Sequence, residues 1–243
     1  MRIKAVIEYD GSNYHGFQRQ TNAHTIQAQI ENDILQLTGE KLVITGAGRT
    51  DAGVHALGQV IAFDTQSSIP ASKWKFALNS VLPEDIRIIS TEQVDNNFNP
   101  RFNACKKKYC YKIYRAERGW LFYRNYAMLE TNNLNLNQMQ QACQQLQGIH
   151  NFKSFCASGT SVKSFEREVY ACNIINHNNF LNLEIEANGF LYNMVRIIVG
   201  TLLEIGKNKY PVDYIDYLLK CQDRSKAGPT VPPQGLYLVS VAY

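Results

Sequence analysis

The chain has 243 residues, 45% hydrophobic and 19% charged, with a formal charge of +4, a profile that fits one large globular domain or two small ones. No apolar run approaches the ~18 residues of a membrane span, and Met1-Arg2-Ile3-Lys4-Ala5-Val6-Ile7-Glu8 meets an acid too early for a signal-peptide core. Six cysteines without a C-x-x-C pair and five scattered histidines point to reduced thiols in a cytoplasmic protein and to no metal.

Residues 2–9 read as a strand with Ile3, Ala5, Ile7 and Tyr9 on one face. A glycine-bearing loop, Asp10 to Gln20, follows. Thr25 is placed to cap a helix whose apolar positions Ile26, Ile30, Ile34 and Leu37 keep a 3.6-residue period. Strand character resumes at Leu57–Phe63, then a helix around Lys73–Ser80 and a strand around Ile86–Val94 complete a first half, residues 1–102. The second half, 103–243, opens with a strand, Lys107 to Arg115, with Tyr109, Tyr111 and Ile113 on one side. An amphipathic helix carries Leu136, Met139, Cys143 and Leu146. Strands near Glu168–Ile175 and Phe180–Ala187 are joined by Asn176-His177-Asn178-Asn179. A nearly all-apolar helix from Leu191 to Ile205 ends before Gly206, and a helix near Val212–Leu219 leads to a last strand, Leu236–Val241. Without a regular βαβ rhythm, each half is expected to be α+β, the two sharing a mostly antiparallel sheet.

Charge is divided unevenly. Residues 1–102 hold 9 Lys+Arg against 11 Asp+Glu, and residues 103–243 hold 16 against 10. Between Arg101 and Arg124 eight cations, Lys107 and Lys108 among them, face the single acid Glu117, interleaved with Tyr109, Tyr111, Tyr114, Trp120, Phe122 and Tyr123. Cations for phosphates with flat rings for bases suit RNA; a solvated basic face is the plainer alternative.

Two residues carry the chemistry. Asp51 stands in Gly48-Arg49-Thr50-Asp51-Ala52-Gly53-Val54-His55-Ala56, where glycines permit a tight loop. Its carboxylate either bonds its own turn or is presented to a ligand as nucleophile, acid or base. Arg196 interrupts the apolar helix, so its guanidinium is either paired in the interior, with Asp51 as one partner, or reaches the surface along its stem. From the residues alone an RNA-modifying enzyme competes with a non-catalytic RNA binder and an Asp-nucleophile glycosidase. The last normally needs a second carboxylate, and none accompanies the Asp51 loop.

Motifs along nearly the whole chain resemble the TruA family of tRNA pseudouridine synthases. They are Tyr9-Asp10-Gly11, Gly16-Phe17-Gln18-Arg19-Gln20, Thr25-Ile26-Gln27, Gly46 to Ala56, Lys107-Lys108-Tyr109-Cys110-Tyr111, Gly148 to Phe155, Asn188 to Arg196, Pro232-Pro233-Gln234-Gly235-Leu236 and Val241-Ala242-Tyr243. The departures are Phe17 for a common Trp, Asn99-Pro100 for His-Ala, and Val231 for Ala. The resemblance implies two similar α+β halves on one sheet with a central basic cleft, and a homodimer that binds tRNA. It implies conversion of uridine to pseudouridine at tRNA positions 38, 39 and 40 in the anticodon stem-loop, without a cofactor. Asp51 would be the nucleophile, Arg196 its ion-pair partner and Tyr109 the ring beside the flipped base. Arg49, His55, Lys107 and Lys108 are the remaining candidates for binding substrate.

Overall fold

The computed structural model describes residues 1–159 and 162–243. In chain order the strands and helices are β1 (Arg2–Tyr9), α1 (Ile26–Thr38), β2 (Thr45–Gly46), β3 (His55–Asp64), α2 (Trp74–Asn79), β4 (Ile86–Val94), β5 (Lys106–Tyr114), α3 (Trp120–Tyr123), β6 (Met128–Leu129), α4 (Leu136–Gln145), β7 (Gly148–Asn151), β8 (Glu166–His177), β9 (Phe180–Ala187), α5 (Met194–Gly206), α6 (Tyr214–Cys221) and β10 (Leu236–Ala242). They form two compact units, Met1–Cys105 with Tyr237–Tyr243, and Lys106–Leu236. The last seven residues thus cluster with the first unit, although they lie at the far end of the chain.

In the first unit β1 lies between β3 and β4, antiparallel to both. Its strict alternation buries Ile3, Ala5, Ile7 and Tyr9, as a period of two requires. The other edge of β3 takes β10 in parallel at Tyr237↔His55 and β2 antiparallel at Gly46↔Ile61. β2 therefore delivers the chain into the Asp51 loop, and β3 takes it out. Helix α1 starts where Thr25 Oγ1 accepts from the Ala28 N–H and stops at Gly39 in the left-handed region. It buries Ile26, Ile30 and Ile34, and Trp74 of α2 meets Phe63 edge-on with centroids 5.1 Å apart.

The second unit is the antiparallel run β5-β9-β8-β7, with short β6 parallel to β5. Helix α4 packs on β8 and α5. Both units are α+β with mostly antiparallel sheets, in line with the sequence expectation. Several boundaries differ, three of them around the candidate site and α5. β3 begins at His55 rather than Leu57. α5 begins at Met194 rather than Leu191, because Asn193 is left-handed and breaks the helical path. α5 also runs through Gly206 instead of stopping before it. The short β6, β7 and α3 have too few residues for a periodic signal.

Helix α5 is buried along most of its length, and Gly200 faces the chain that returns to Val231. A Cβ built on Gly200 would stand 1.9 Å from the Pro229 carbonyl oxygen, a backbone atom that cannot swing aside. Gly200→Ala should therefore cost ~1–3 kcal/mol or more of stability through overpacking. At ~2–4 °C per kcal/mol for a chain of this size, a thermal melt would read it directly.

Candidate active site

In the first unit, the Asp51 loop is held at nearly every residue. The Ala47 N–H donates to the Val60 carbonyl at 2.8 Å, and the Gln59 amide donates to the Gly48 carbonyl at 2.7 Å. Thr50 Oγ1 lies 2.8 Å from the Tyr9 hydroxyl, while the Thr50 carbonyl accepts from the Phe17 N–H at 3.0 Å. The Gly53 N–H donates to the Tyr14 carbonyl at 3.3 Å, and the Val54 N–H closes the turn onto the Asp51 carbonyl at 3.1 Å. With Gly53 at φ 75°, this turn has the left-handed third position that glycine supplies most cheaply. Gly16, at φ 89°, lies so close that an added Cβ would stand 2.6 Å from the Thr50 carbonyl oxygen. The Asp51 side chain is half-buried on this fixed backbone, and Arg49 is exposed beside it.

His55 occupies a different environment. It is 2% exposed and stacks on Tyr237 with centroids 4.7 Å apart. Its Nδ1 lies 3.1 Å from both the Gly11 nitrogen and Asp10 Oδ1. The Gly11 N–H can only donate, so Nδ1 acts as an acceptor there. Asp10 Oδ1 also accepts from the Ser12 N–H and hydroxyl. A further anchor is Glu31, buried on α1. Its carboxylate accepts from Arg19 Nε at 2.7 Å, the Gln27 amide at 2.8 Å and the Ile44 N–H at 3.0 Å. It ties the 17–20 loop and the approach to β2 to one helix.

The second unit carries the other candidates. Tyr109 on β5 is 8% exposed, with its ring edge-on to Phe190 at 4.9 Å. Arg196 on α5 is half-buried. Its Nε donates to the Val231 carbonyl at 2.7 Å and its Nη1 to Asn193 Oδ1 at 2.8 Å. Val231 is held in turn by its own N–H on the Arg196 carbonyl at 3.4 Å, and the Tyr111 hydroxyl donates to the Pro232 carbonyl at 2.7 Å. Burial pushes the Tyr111 phenol up, with the Arg196 charge pulling the other way.

The basic strip is less uniform than its sequence suggests. Lys107 is half-buried on β5. Lys108 Nζ lies 2.6 Å from Glu184, and Lys106 lies 2.9 Å from Glu186. Both acids come from β9, paired to β5 with Lys108 opposite Glu186 and Cys110 opposite Glu184. The Glu184 hydrogen bond raises the Lys108 pKa, and burial opposes it. Tyr111 is fully buried and Tyr114 is 4% exposed, so these rings belong to the interior, whereas Leu121 and Phe122 are exposed. Among the described residues no group of three or more His, Cys, Asp or Glu is placed to hold a metal ion, and no helix is long and apolar enough to cross a membrane.

Gln59, Tyr9, Glu31, Asn193 and the Val231 carbonyl were not singled out from the sequence. Gln59 did leave a trace, as a polar side chain in the middle of the apolar run Val54–Phe63. The Tyr9–Thr50 contact is also readable by titration. Burial pushes the Tyr9 phenol up to about 12, against hydrogen bonds to Thr50 and Gln59 that lower it. The folded state thus favours the neutral phenol. Its contribution is intact below the ordinary tyrosine range near ~10 and is lost as pH rises toward about 12. Denaturant unfolding from pH 8 to 12 should show Tyr9→Phe about 1 kcal/mol less stable at pH 8. Its stability should fall less steeply above pH 10, by ~2–3 kcal/mol over the range.

A family model described as tRNA pseudouridine synthase matches residues 5–103 and 142–243. The tRNA pseudouridine synthase A of Syntrophomonas wolfei subsp. wolfei is 56% identical over 242 residues, covering 100% of this chain and 97% of that protein. The protein of the same name from Thermoanaerobacter sp. strain X514 is 48% identical, with 99% of each chain covered. That of Bacillus pumilus is 44% identical, covering 100% of this chain and 99% of the relative. Matches of this length and identity include the Asp51 loop and the α5 segment together, and the chain belongs to the tRNA pseudouridine synthase family, in the group named tRNA pseudouridine synthase A, or TruA.

Proposed function

We propose that this protein converts uridine to pseudouridine in tRNA, at positions 38, 39 and 40 of the anticodon stem-loop. The observation that carries the proposal is the Asp51 loop, whose backbone is fixed by bonds at residues 47, 48, 50, 53 and 54. Such a loop presents a carboxylate in a set position without reorganisation during reaction, which is what a catalytic group requires. The family of the relatives supports the substrate class.

The chemistry requires no oxidant and no energy source. The N1–C1′ bond breaks, a C5–C1′ bond forms, C5 gives up its proton to water and N1 gains one. Asp51 acts as the nucleophile, on C6 of the base or C1′ of the sugar, with removal of a sugar proton as the alternative role, and Arg196 is its ion-pair partner, favouring the ionised carboxylate. Flipping the base out costs a few kcal/mol. Stacking beside Tyr109 returns ~1–3 kcal/mol of it. Arg49, Lys107 and Lys108 bind phosphates, and His55 supports the loop from beneath. For Lys108 the phosphate competes with Glu184, a half-exposed pair of the kind worth only ~0–1 kcal/mol. The enzyme acts in the cytoplasm as a homodimer, without a cofactor.

The decisive assay uses an unmodified tRNA transcript tritiated at uracil C5, with no cofactor added. Tritium should appear in water with the wild-type protein. Asp51→Ala should abolish release while retaining tRNA binding within a few-fold, as expected when only a transition-state contact is lost. Binding without release by the wild type would exclude the reaction on that substrate. For the phosphate contacts, Lys107→Ala with Lys108→Ala should reduce the slope of log Kd against log salt by ~1–2, measured by filter binding.

A further inference from the structure

Asn193 is the residue immediately before α5, the place where an asparagine normally caps a helix. There its backbone would be extended and its side chain would accept from the N–H two or three residues on. Neither holds. Asn193 has φ 60° and ψ 9°, in the left-handed region, and makes no side-chain cap bond. Its Oδ1 accepts instead from Arg196 Nη1 at 2.8 Å. The Val231 carbonyl takes Arg196 Nε at 2.7 Å. Two acceptors on two different nitrogens of a planar, delocalised group fix its plane as well as its position.

The residue type meets two demands at once. Only glycine, and less readily asparagine and aspartate, adopt the left-handed conformation at modest cost. Of these, only the last two carry an acceptor that can reach a guanidinium three residues on. Glycine would serve the backbone and leave Nη1 without this partner. A non-glycine residue held in this conformation beside a functional group is also where local strain tends to be tied to a role.

We propose that Asn193 is a positioning residue for the reaction, directing the Arg196 guanidinium from one side while the Val231 carbonyl directs it from the other. The assignment rests on the role given to Arg196 above. Asn193 does not touch substrate; it acts through Arg196.

The test compares Asn193→Gly, Asn193→Asp, Arg196→Met and the double variant Asn193→Gly/Arg196→Met in the tritium-release assay. Asn193→Gly keeps the backbone conformation, so its melting temperature should stay within ~2 °C of wild type, since glycine adopts φ > 0 without strain. Its kcat should fall ~10- to 100-fold with KM for tRNA changed less than ~3-fold, the pattern of a misaimed catalytic group rather than a lost binding contact. Asn193→Asp, which keeps the acceptor, should recover kcat to within ~5-fold of wild type. The glycine change should have no further effect once Arg196→Met is present, because coupled residues are non-additive. The Arg196 Nη1 protons, which Asn193 Oδ1 accepts in the wild type, should exchange with solvent faster in Asn193→Gly.

A fully active Arg196→Met enzyme would sink the role given to Arg196, and this proposal with it. A slow Arg196→Met enzyme beside a fully active Asn193→Gly enzyme would overturn the positioning role alone. So would an equal loss from Asn193→Gly in both backgrounds.

Discussion

The backbone of the Asp51 loop and the backbone of residues 14–17 meet with no room for a side chain at Gly16 between them, and the conformation of the Asp51 loop depends on that contact. Phe17 donates to the Thr50 carbonyl and Gly53 donates to the Tyr14 carbonyl, so each segment supplies the other's missing hydrogen bonds. Buried backbone groups must find partners, and here two loops satisfy one another rather than a helix or sheet doing so. Gly16 permits the approach. Gln59 and Tyr9, on the adjacent strands β3 and β1, complete it by reaching Gly48 and Thr50. The sheet beneath thus transmits its rigidity to a segment with no regular structure of its own.

The second unit solves the corresponding problem for a cation. Arg196 lies on a helix otherwise so apolar that most of its residues are buried. Its charge is tolerable because the fold brings a carbonyl and a side-chain amide to it. The carbonyl belongs to Val231, 35 residues further on, and it is positioned by the close passage of Pro229 over Gly200 and by the Tyr111 hydroxyl on Pro232. A fully buried tyrosine of β5 therefore contributes to the placement of an arginine on α5.

Electrostatics changed most between sequence and structure. Counted along the chain, the Lys106–Lys108 run has no acid nearby. Across the sheet it has two, because β9 brings Glu184 and Glu186 alongside β5. The tyrosines that follow those lysines on β5, Tyr109, Tyr111 and Tyr114, are all buried, and Cys110 between the first two is buried as well. The cationic reading of the strip survives most directly at Arg101, Arg118 and Arg124, which are exposed.

Local elements were legible because their signals are local. The alternation of Ile3, Ala5, Ile7 and Tyr9, the Thr25 cap and the apolar face of α1 each depend on neighbours a few residues away, and they appear as expected except that Leu37 of α1 is only half-buried. The Asp51 loop and Arg196 were conspicuous for the same reason, as a carboxylate among glycines and a charge among apolar residues. The placement of β10 on β3 was not legible, since period-two alternation says that a strand will pair and not with which partner. Nor was the left-handed turn at Asn193, which moved the start of α5 by three residues, or the bonds by which Gln59, Glu31 and the Val231 carbonyl hold Gly48, Ile44 and Arg196. The sequence by itself determined which segments bury an apolar face and which two charged groups need explanation. Only the tertiary structure decided how the buried polar groups are satisfied, because partners such as Val231 for Arg196 and Tyr9 for Thr50 lie tens of residues apart and chain packing alone brings them within hydrogen-bond range.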